Sequence, residues 1–409
     1  MHLLSAVGTF IKPLALKFSN NRYHLFYLFS PTNQITDRSV GHAVSLDMVH
    51  WEHQSVILLN ANAYHPIGIY CDVNNVLGRF PGISNENYMV FYHNDTGTLC
   101  ANYWDYDDKI WPLLQDAPLP FDPKIEGAVI GIANDTVSCT QASLLKSSDS
   151  LVLYIYSSEN KIITKTTVDG LLPQDVKSVR LDVGKSLSDG DNLVILLTAY
   201  IQSSNRKSYI KYHLCDNKLI EVVRTSELGT TRRMLSLASG RILEFGVSDG
   251  ARELMTLPCE VYINNSGLIR NEPLEVLNCF SQSMPLESGS FTPIANTFRI
   301  IMACHSLIEG QSITLALFAN QSPLLEVRKL ANNLIALTFG YDAEAYSHIG
   351  TVTDLEVLVD GGIVEFRNNN QPVFVLNFGK VNSITPSIVI FPPQVKVTIA
   401  SLFPEIKKD

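Results

Sequence analysis

Runs of five to seven apolar and aromatic residues, each closed by a cluster of turn formers, recur along the whole chain. Leu14–Phe18 (LALKF), Tyr23–Phe29 (YHLFYLF), Gly41–Asp47 (GHAVSLD), Tyr88–Asn94 (YMVFYHN) and Leu99–Asp105 (LCANYWD) are the first of them. They are rich in the aromatic and β-branched residues that pack on a pleated surface. Between them lie Ser19–Arg22, Ser30–Gln34, Pro81–Asn87 and His93–Gly97, where Asn, Asp, Gly, Ser and Pro supply turn conformations. The pattern continues through Leu151–Ser157, Asn160–Val168, Asn192–Tyr200, Ser208–Leu214 and Lys218–Thr225. No amphipathic helix of three turns interrupts it. Short strands at spacings of about ten residues restrict the chain to a propeller, a sandwich or a barrel. No fixed-period repeat is visible, and divergent propeller blades need not show one.

Two stretches break the pattern. Leu113–Lys124 (LLQDAPLPFDPK) reads as a long connection between sheets. Phe280–Phe291 (FSQSMPLESGSF) is polar and rich in Pro and Gly, which places a domain boundary there. The expected units are 1–280 and 290–409. After the boundary, Thr297–Ala303, Ser312–Phe318, Leu334–Gly340, Leu355–Asp360, Ile363–Asn368, Pro372–Phe378 and Val395–Phe403 alternate in a way that suits two sheets packed face to face.

Composition narrows the function classes. The 409 residues suffice for two or three domains, and 46% hydrophobic against 17% charged residues is a well-buried globular balance. A net charge of −9 without a basic cluster repels phosphate backbones, so nucleic acid is not an expected partner. No apolar run reaches the length of a membrane span. Met1–Phe18 lacks the charged start and small-residue cleavage site of a signal peptide. The seven cysteines, Cys71, Cys100, Cys139, Cys215, Cys259, Cys279 and Cys304, are odd in number, scattered and without a C-x-x-C pair. Reduced, buried thiols are expected, with neither a disulfide framework nor a zinc site. These features favour a cytoplasmic setting and call for no metal or cofactor. The sequons at Asn94, Asn134 and Asn264, and a poorer one at Asn320, matter only in a secreted protein.

Four blocks carry a resemblance. Tyr23–Tyr27 with Gly41–Trp51 is the first, and Met89–Asp95 with Leu99–Trp111 the second. Gly240–Gly246 with Leu254–Leu277 is the third, with Cys259 where the pattern has Arg. Leu355–Asn369, with Asp360, Val364 and Glu365 in order, is the fourth. In this order and spacing they resemble glycoside hydrolase family 32, the invertases and fructanases. The resemblance implies an all-β chain, a five-bladed β-propeller followed by a β-sandwich. It also implies retaining hydrolysis or transfer of β-fructofuranosyl groups, which uses a nucleophile and an acid/base about 5 Å apart. A third carboxylate holds the sugar hydroxyls.

The residues at those positions depart from the family. The nucleophile is an Asp in W-M-N-D-P-N-G, just before the first block. Counting back aligns Thr9–Ala15 with it, where Pro13 keeps the Pro and Lys12 takes the place of the Asp. An ammonium cannot attack as a carboxylate does, and its charge opposes the positive charge that develops on the sugar. Residues 1–36 contain no Asp or Glu, so no shift of alignment supplies one. The stabilising Asp of F-R-D-P aligns with Cys139, or with Asp135 if a gap is allowed. The acid/base Glu aligns with Leu181, or with Asp182 if the register slips by one. Neighbouring sugar contacts change too. Leu28 stands for a Gln, Val40 for a Trp, and Tyr70, Cys71, Asp72 and Val73 for F-S-G-S.

The first reading is therefore a fructosidase-like protein without catalytic carboxylates, binding a sugar or a protein at the propeller face or serving through a homo-oligomer contact. Lys12, Tyr70 and Asp72 are its candidate substrate-binding residues, and Lys12 at the propeller mouth suits an anion such as a phosphorylated sugar. The alternative is an active glycosidase with relocated carboxylates, for which Asp72, Asp135 and Asp182 are the candidates. A protein-interaction scaffold is the third. Packing is the expected role of His42 and Trp51, and turn formation that of Asp47. Cys139 is expected to be an inert buried thiol rather than a nucleophile.

Overall fold

The computed structural model describes residues 8–32, 37–54, 65–71, 75, 82, 88–93, 99–104, 129–133, 136–142, 151–157, 162–168, 176–185, 193–203, 206–215, 218–227, 230–237, 241–248, 254–264, 267–317, 324–341, 344–350, 354–368, 371–377 and 386–403. The expected connection at Leu113–Lys124 lies outside them. Two compact units are present, Leu3–Asn271 and Glu272–Asp409. Phe280–Phe291 belongs to the second.

The first unit holds five sheets, each built from consecutive strands. The first comprises β1 (Thr9–Ser19), β2 (Arg22–Ser30), β3 (Ser39–Ser45) and β4 (Glu52–His53). The second comprises β5 (His65–Cys71), β6 (Tyr88–His93) and β7 (Leu99–Trp104). The third comprises β8 (Val129–Ala133), β9 (Thr136–Ala142), β10 (Leu151–Ser157) and β11 (Ile162–Val168). The fourth comprises β12 (Val176–Lys185), β13 (Leu193–Ser203), β14 (Arg206–Cys215) and β15 (Lys218–Glu227). The fifth comprises β16 (Thr230–Ser236), β17 (Ile242–Ser248), β18 (Cys259–Asn264) and β19 (Gly267–Asn271). All pairings are antiparallel. The first strands of the sheets neighbour one another in turn, β1 beside β5, β5 beside β8, β8 beside β12, β12 beside β16, and β16 beside β1. The ring closes, and the unit is a five-bladed β-propeller.

The first blade shows why these residues form these strands. Ser19 pairs with Arg22, leaving Asn20 and Asn21 as a two-residue hairpin loop with φ of 50° and 58°. Asn tolerates this left-handed conformation, which matches the twist of the flanking strands. Pro13 interrupts the apolar run, yet β1 continues through it. β1 has a ladder partner on one side only, so a missing N–H is tolerated, and register shifts at Phe10/Lys12 and Pro13/Ala15 flank the ring. Tyr27 stacks on Phe10 with centroids 5.3 Å apart and bonds His53 Nδ1 at 3.0 Å. Its ring crosses Gly41, where a Cβ would lie 2.5 Å from Cζ. Only glycine fits there.

Behind this ring lies a buried histidine pair. His24 Nδ1 and His42 Nε2 are 3.1 Å apart, and His24 Nε2 lies 3.3 Å from the Ser19 carbonyl oxygen. The carbonyl can only accept, so His24 carries its proton on Nε2 and His42 donates from Nε2. Burial pushes both imidazoles down, His42 to about 3 with the neighbouring His24 adding to the effect. His42 also stacks on Phe26 at 4.8 Å. Packing is its role, as expected.

After β3 the chain turns on two short side chains. Ser45 Oγ accepts from the Met48 amide at 2.8 Å and the Asp47 amide at 3.2 Å, and donates to Asp47 Oδ1 at 3.1 Å. Asp47 Oδ1 accepts from the amides of Val49 and His50, both at 2.8 Å, and Oδ2 meets His50 Nδ1 at 2.7 Å. Burial alone would raise the Asp47 carboxyl. The hydrogen bonds from His50 and Val49 outweigh it and hold the group well below the usual carboxylate range. This network supports Met48 at φ 62°, uncommon for a bulky residue, with its side chain fully buried. The Trp51 indole donates to the Met48 carbonyl at 3.0 Å.

The fifth blade meets the first through Arg241. Its Nε and one terminal nitrogen each donate to Glu260 at 3.1 Å, and the other terminal nitrogen donates to Tyr23 Oη at 3.1 Å. Within the blade, Arg270 pairs with buried Glu244. Gly246 N donates to Thr256 Oγ1 at 2.9 Å.

The second unit opens with the one-turn helix α1 (Leu274–Leu277) and continues with β20 (Met284–Pro285), β21 (Gly289–Phe291), β22 (Thr297–Met302), β23 (Ser312–Ala316), β24 (Leu325–Lys329), β25 (Ile335–Tyr341) and β26 (Glu344–Gly350). It ends with β27 (Leu355–Asp360), β28 (Ile363–Asn368), β29 (Gln371–Asn377), β30 (Ser387–Ile390) and β31 (Val397–Ser401). One sheet runs β20-β31-β22-β27-β28-β29 and the other β21-β30-β23-β24-β25-β26. Phe298, Ile300, Val357, Val359, Val364 and Phe366 of one sheet, and Ile313, Leu315, Val327, Leu337 and Val389 of the other, are buried at alternate positions. This is a β-sandwich core. Among the described cysteine side chains, Cys259, Cys279 and Cys304 are buried free thiols, and burial pushes the Cys304 thiol up to about 12.

Two expectations follow. Asp47→Ala should cost about 3 kcal/mol in denaturant unfolding, because two amides and the His50 ring lose a charged acceptor. A loss below about 1 kcal/mol would show that the turn holds without it. The histidine pair sets a pH dependence. Its folded-state values lie below the unfolded 6.5, so the unfolded chain binds more protons and stability falls as pH drops from 6.5 toward 3. Amide exchange in β2 and β3 should quicken between those limits, and His42→Leu should flatten the profile.

Candidate functional site

In a propeller the innermost strands surround the axis, and here they are β1, β5, β8, β12 and β16. Three of them carry sequence-predicted positions. Lys12 lies on β1, Tyr70 on β5, and Leu181 and Asp182 on β12. Cys139 lies one strand out, on β9, between Ile130 and Tyr154 in register. On β12, Leu181 is paired with Leu197 and Asp182 with Leu196. Asp72 follows β5 in the chain and Asp135 falls between β8 and β9, and both lie outside the described residues.

Two positions at which the resemblance implies catalytic carboxylates, those of Lys12 and Leu181, stand on axis-lining strands. Between their strands lies β16 on one side of the ring, with β5 and β8 on the other. Lys12 is half-buried, sits at the register shift after Phe10, and pairs through its backbone with Leu28. Leu28 itself stands where the family pattern has Gln, and it is buried.

Sequence reading passed over Lys17. It shares β1 with Lys12, pairs in register with His24, and is only 3% exposed. Its charge adds to the lowering of His24. A lysine inside the apolar run LALKF was the available signal, since a buried ammonium is rare without a partner. β1 therefore presents two lysines and no carboxylate. His42, Trp51 and Asp47 do structural work in the same blade: one stacks, one caps a carbonyl, one holds a turn.

Comparison with known proteins agrees with this framework. Residues 2–96 match the glycosyl hydrolases family 32 N-terminal domain. Raffinose invertase of Escherichia coli is 34% identical over 70 residues, a span that covers 17% of this chain and 15% of that protein. The structure is similar to exo-inulinase from Aspergillus awamori, with a TM-score of 0.69 and 16% identity, covering 98% of this chain and 97% of that one. It is also similar to sucrose-6-phosphate hydrolase from Lactobacillus gasseri, with a TM-score of 0.72 and 13% identity, covering 98% and 92%. The resemblance to glycoside hydrolase family 32 holds in sequence over residues 2–96 and in fold, propeller and sandwich together, over nearly the whole chain.

Proposed function

We propose that this fructosidase-like protein does not hydrolyse β-fructofuranosides and instead binds a carbohydrate at its propeller mouth, with Lys12 favouring one that carries a negative charge. The carrying observation is Lys12 on the axis-lining β1, in a segment where residues 1–36 hold no Asp or Glu. Retaining hydrolysis needs a carboxylate nucleophile paired with an acid/base at close range. An ammonium at the first position and a leucine at the second supply neither. The same ammonium suits a phosphorylated or carboxylated sugar, since a charge-assisted contact to a fixed lysine is stronger than a neutral one. The relatives that share the fold act on sucrose-type and inulin-type sugars by their names, which supports a sugar as the ligand.

Incubation of purified protein with sucrose, inulin and levan tests the first half. No fructose release is expected, and Lys12→Asp should not create activity, because Leu181 and Cys139 remain. Release by the wild-type protein would overturn the reading and point to Asp72, Asp135 and Asp182.

Titration calorimetry with plain and phosphorylated fructosides tests the second half. Lys12→Ala should weaken the phosphorylated ligand about tenfold, a change of about 1.4 kcal/mol, and leave the plain one nearly unchanged. Equal affinities before and after the substitution would discard the role of Lys12. Absence of any sugar binding would favour a protein partner instead.

A further inference from the structure

The sandwich sheet that contains β22, β27 and β28 has one apolar face and one charged face, and both are buried. On the charged face Glu356 of β27 stands opposite Arg367 of β28. Arg299 of β22 stands opposite Leu358, which in turn opposes Glu365 of β28. Glu272, just before α1, completes the group. One Arg299 terminal nitrogen lies 3.0 Å from Glu272 Oε2 and 3.6 Å from Glu356 Oε1. One Arg367 terminal nitrogen lies 3.7 Å from Glu272 Oε1 and 3.5 Å from Glu356 Oε2, and Arg367 Nε lies 3.5 Å from Glu365 Oε1. The side chains of Arg367 and Glu365 are fully buried, and the Phe280 ring covers the Arg299 guanidinium at 4.4 Å.

Three carboxyls here face two guanidiniums. Glu272 and Glu356 both turn on the same two guanidiniums, so with both ionised two like charges meet away from water, which is costly. Most of the pairs are longer than 3.4 Å, so their attraction is incomplete. Buried Glu272 Oε1 and Glu356 Oε1 are both acceptors without a hydrogen-bond partner. A proton on Glu356 removes that repulsion and converts one acceptor into a donor.

We propose that this cluster is a proton-linked lock on the C-terminal sandwich, closed while Glu356 holds a proton and loosened when that proton is lost. Glu356 is the natural holder. Arg299 faces it from β22, Arg367 and Glu365 from β28, and Glu272 from the residues before α1. Burial pushes its carboxyl up to about 7. The two arginines oppose the rise, while Glu272 and Glu365 add to it.

The sign follows from linkage. The folded value lies above the unfolded 4.5, so between 4.5 and about 7 the folded sandwich holds a proton that the unfolded chain has released. The resulting stability is complete below 4.5 and is lost as pH rises through about 7. This is the reverse of the behaviour of most carboxylates.

Amide exchange of the full chain, corrected for intrinsic rates, reads the lock in β22, β27 and β28. From about pH 5 to about pH 8 the opening equilibrium of these strands should rise by between tenfold and a hundredfold. Glu356→Gln, which mimics the protonated acid, should flatten that rise and keep the strands protected at high pH. A flat wild-type profile, or an unchanged slope in Glu356→Gln, would overturn the proposal. Infrared spectroscopy of the wild-type protein needs no variant to fold. A protonated carboxyl band near neutral pH that vanishes on alkalinisation supports the lock, and its absence at every pH above the unfolded value rules it out.

Discussion

Five strands meet around the axis of the first unit, and no backbone ladder joins them. β1, β5, β8, β12 and β16 belong to different sheets, so the ring rests on contacts between neighbouring blades and not on a shared ladder. Every blade depends on that contact, because its innermost strand has a ladder partner on one side only. The same constraint shapes β1. Phe10, Leu14 and Leu16 are buried there, while Pro13 costs no ladder bond on the open side.

The two units treat buried charge differently. In the propeller, the Asp47 carboxylate answers backbone amides and a ring nitrogen, and Arg241 grips Glu260 with two donors while reaching Tyr23 with a third. Asp47, Arg241 and Glu260 each have a well-aligned partner. In the sandwich, five charged groups share loose contacts. Buried ion pairs of that second kind give little net stability but answer strongly to a change of protonation. The chain thus combines a part that is tightened by specific bonds with a part whose balance depends on a proton.

Much of the strand content was legible from local pattern. Tyr23–Phe29 became β2 almost residue for residue, and Asn20–Asn21 announced their hairpin. β1 proved longer than the run LALKF because Pro13 hid its first half, and an edge position is where proline is tolerated. Strands such as β24 (LEVRK) and β26 (EAYSHIG) were not visible as apolar runs. In β24 the polar Glu326 and Arg328 alternate with the buried Leu325 and Val327, which dilutes the signal. The turn role of Asp47 and the packing of His42 were readable, since both act on near neighbours. The Arg241–Tyr23 contact and the cluster around Glu356 were not. They join residues far apart in sequence, and only the tertiary pairing brings them together. At the candidate site, Lys12 and Leu181 fall on inner strands, while the buried Lys17 went unnoticed inside an apolar run.

Among the described residues each blade is made of consecutive strands, and none borrows a strand from the other end of the chain. During synthesis a blade can therefore pair up as soon as its own residues have emerged, without waiting for distant partners. What must wait is the junction of first and last blades, where Arg241 meets Tyr23 across 218 residues. Until then the nascent chain is an arc with two exposed flanks, and loop closure over that distance is an entropic cost met only once. Ribosome-bound intermediates ending before Arg241 should be the ones that need chaperone protection, because their first blade presents an inner edge that nothing yet covers.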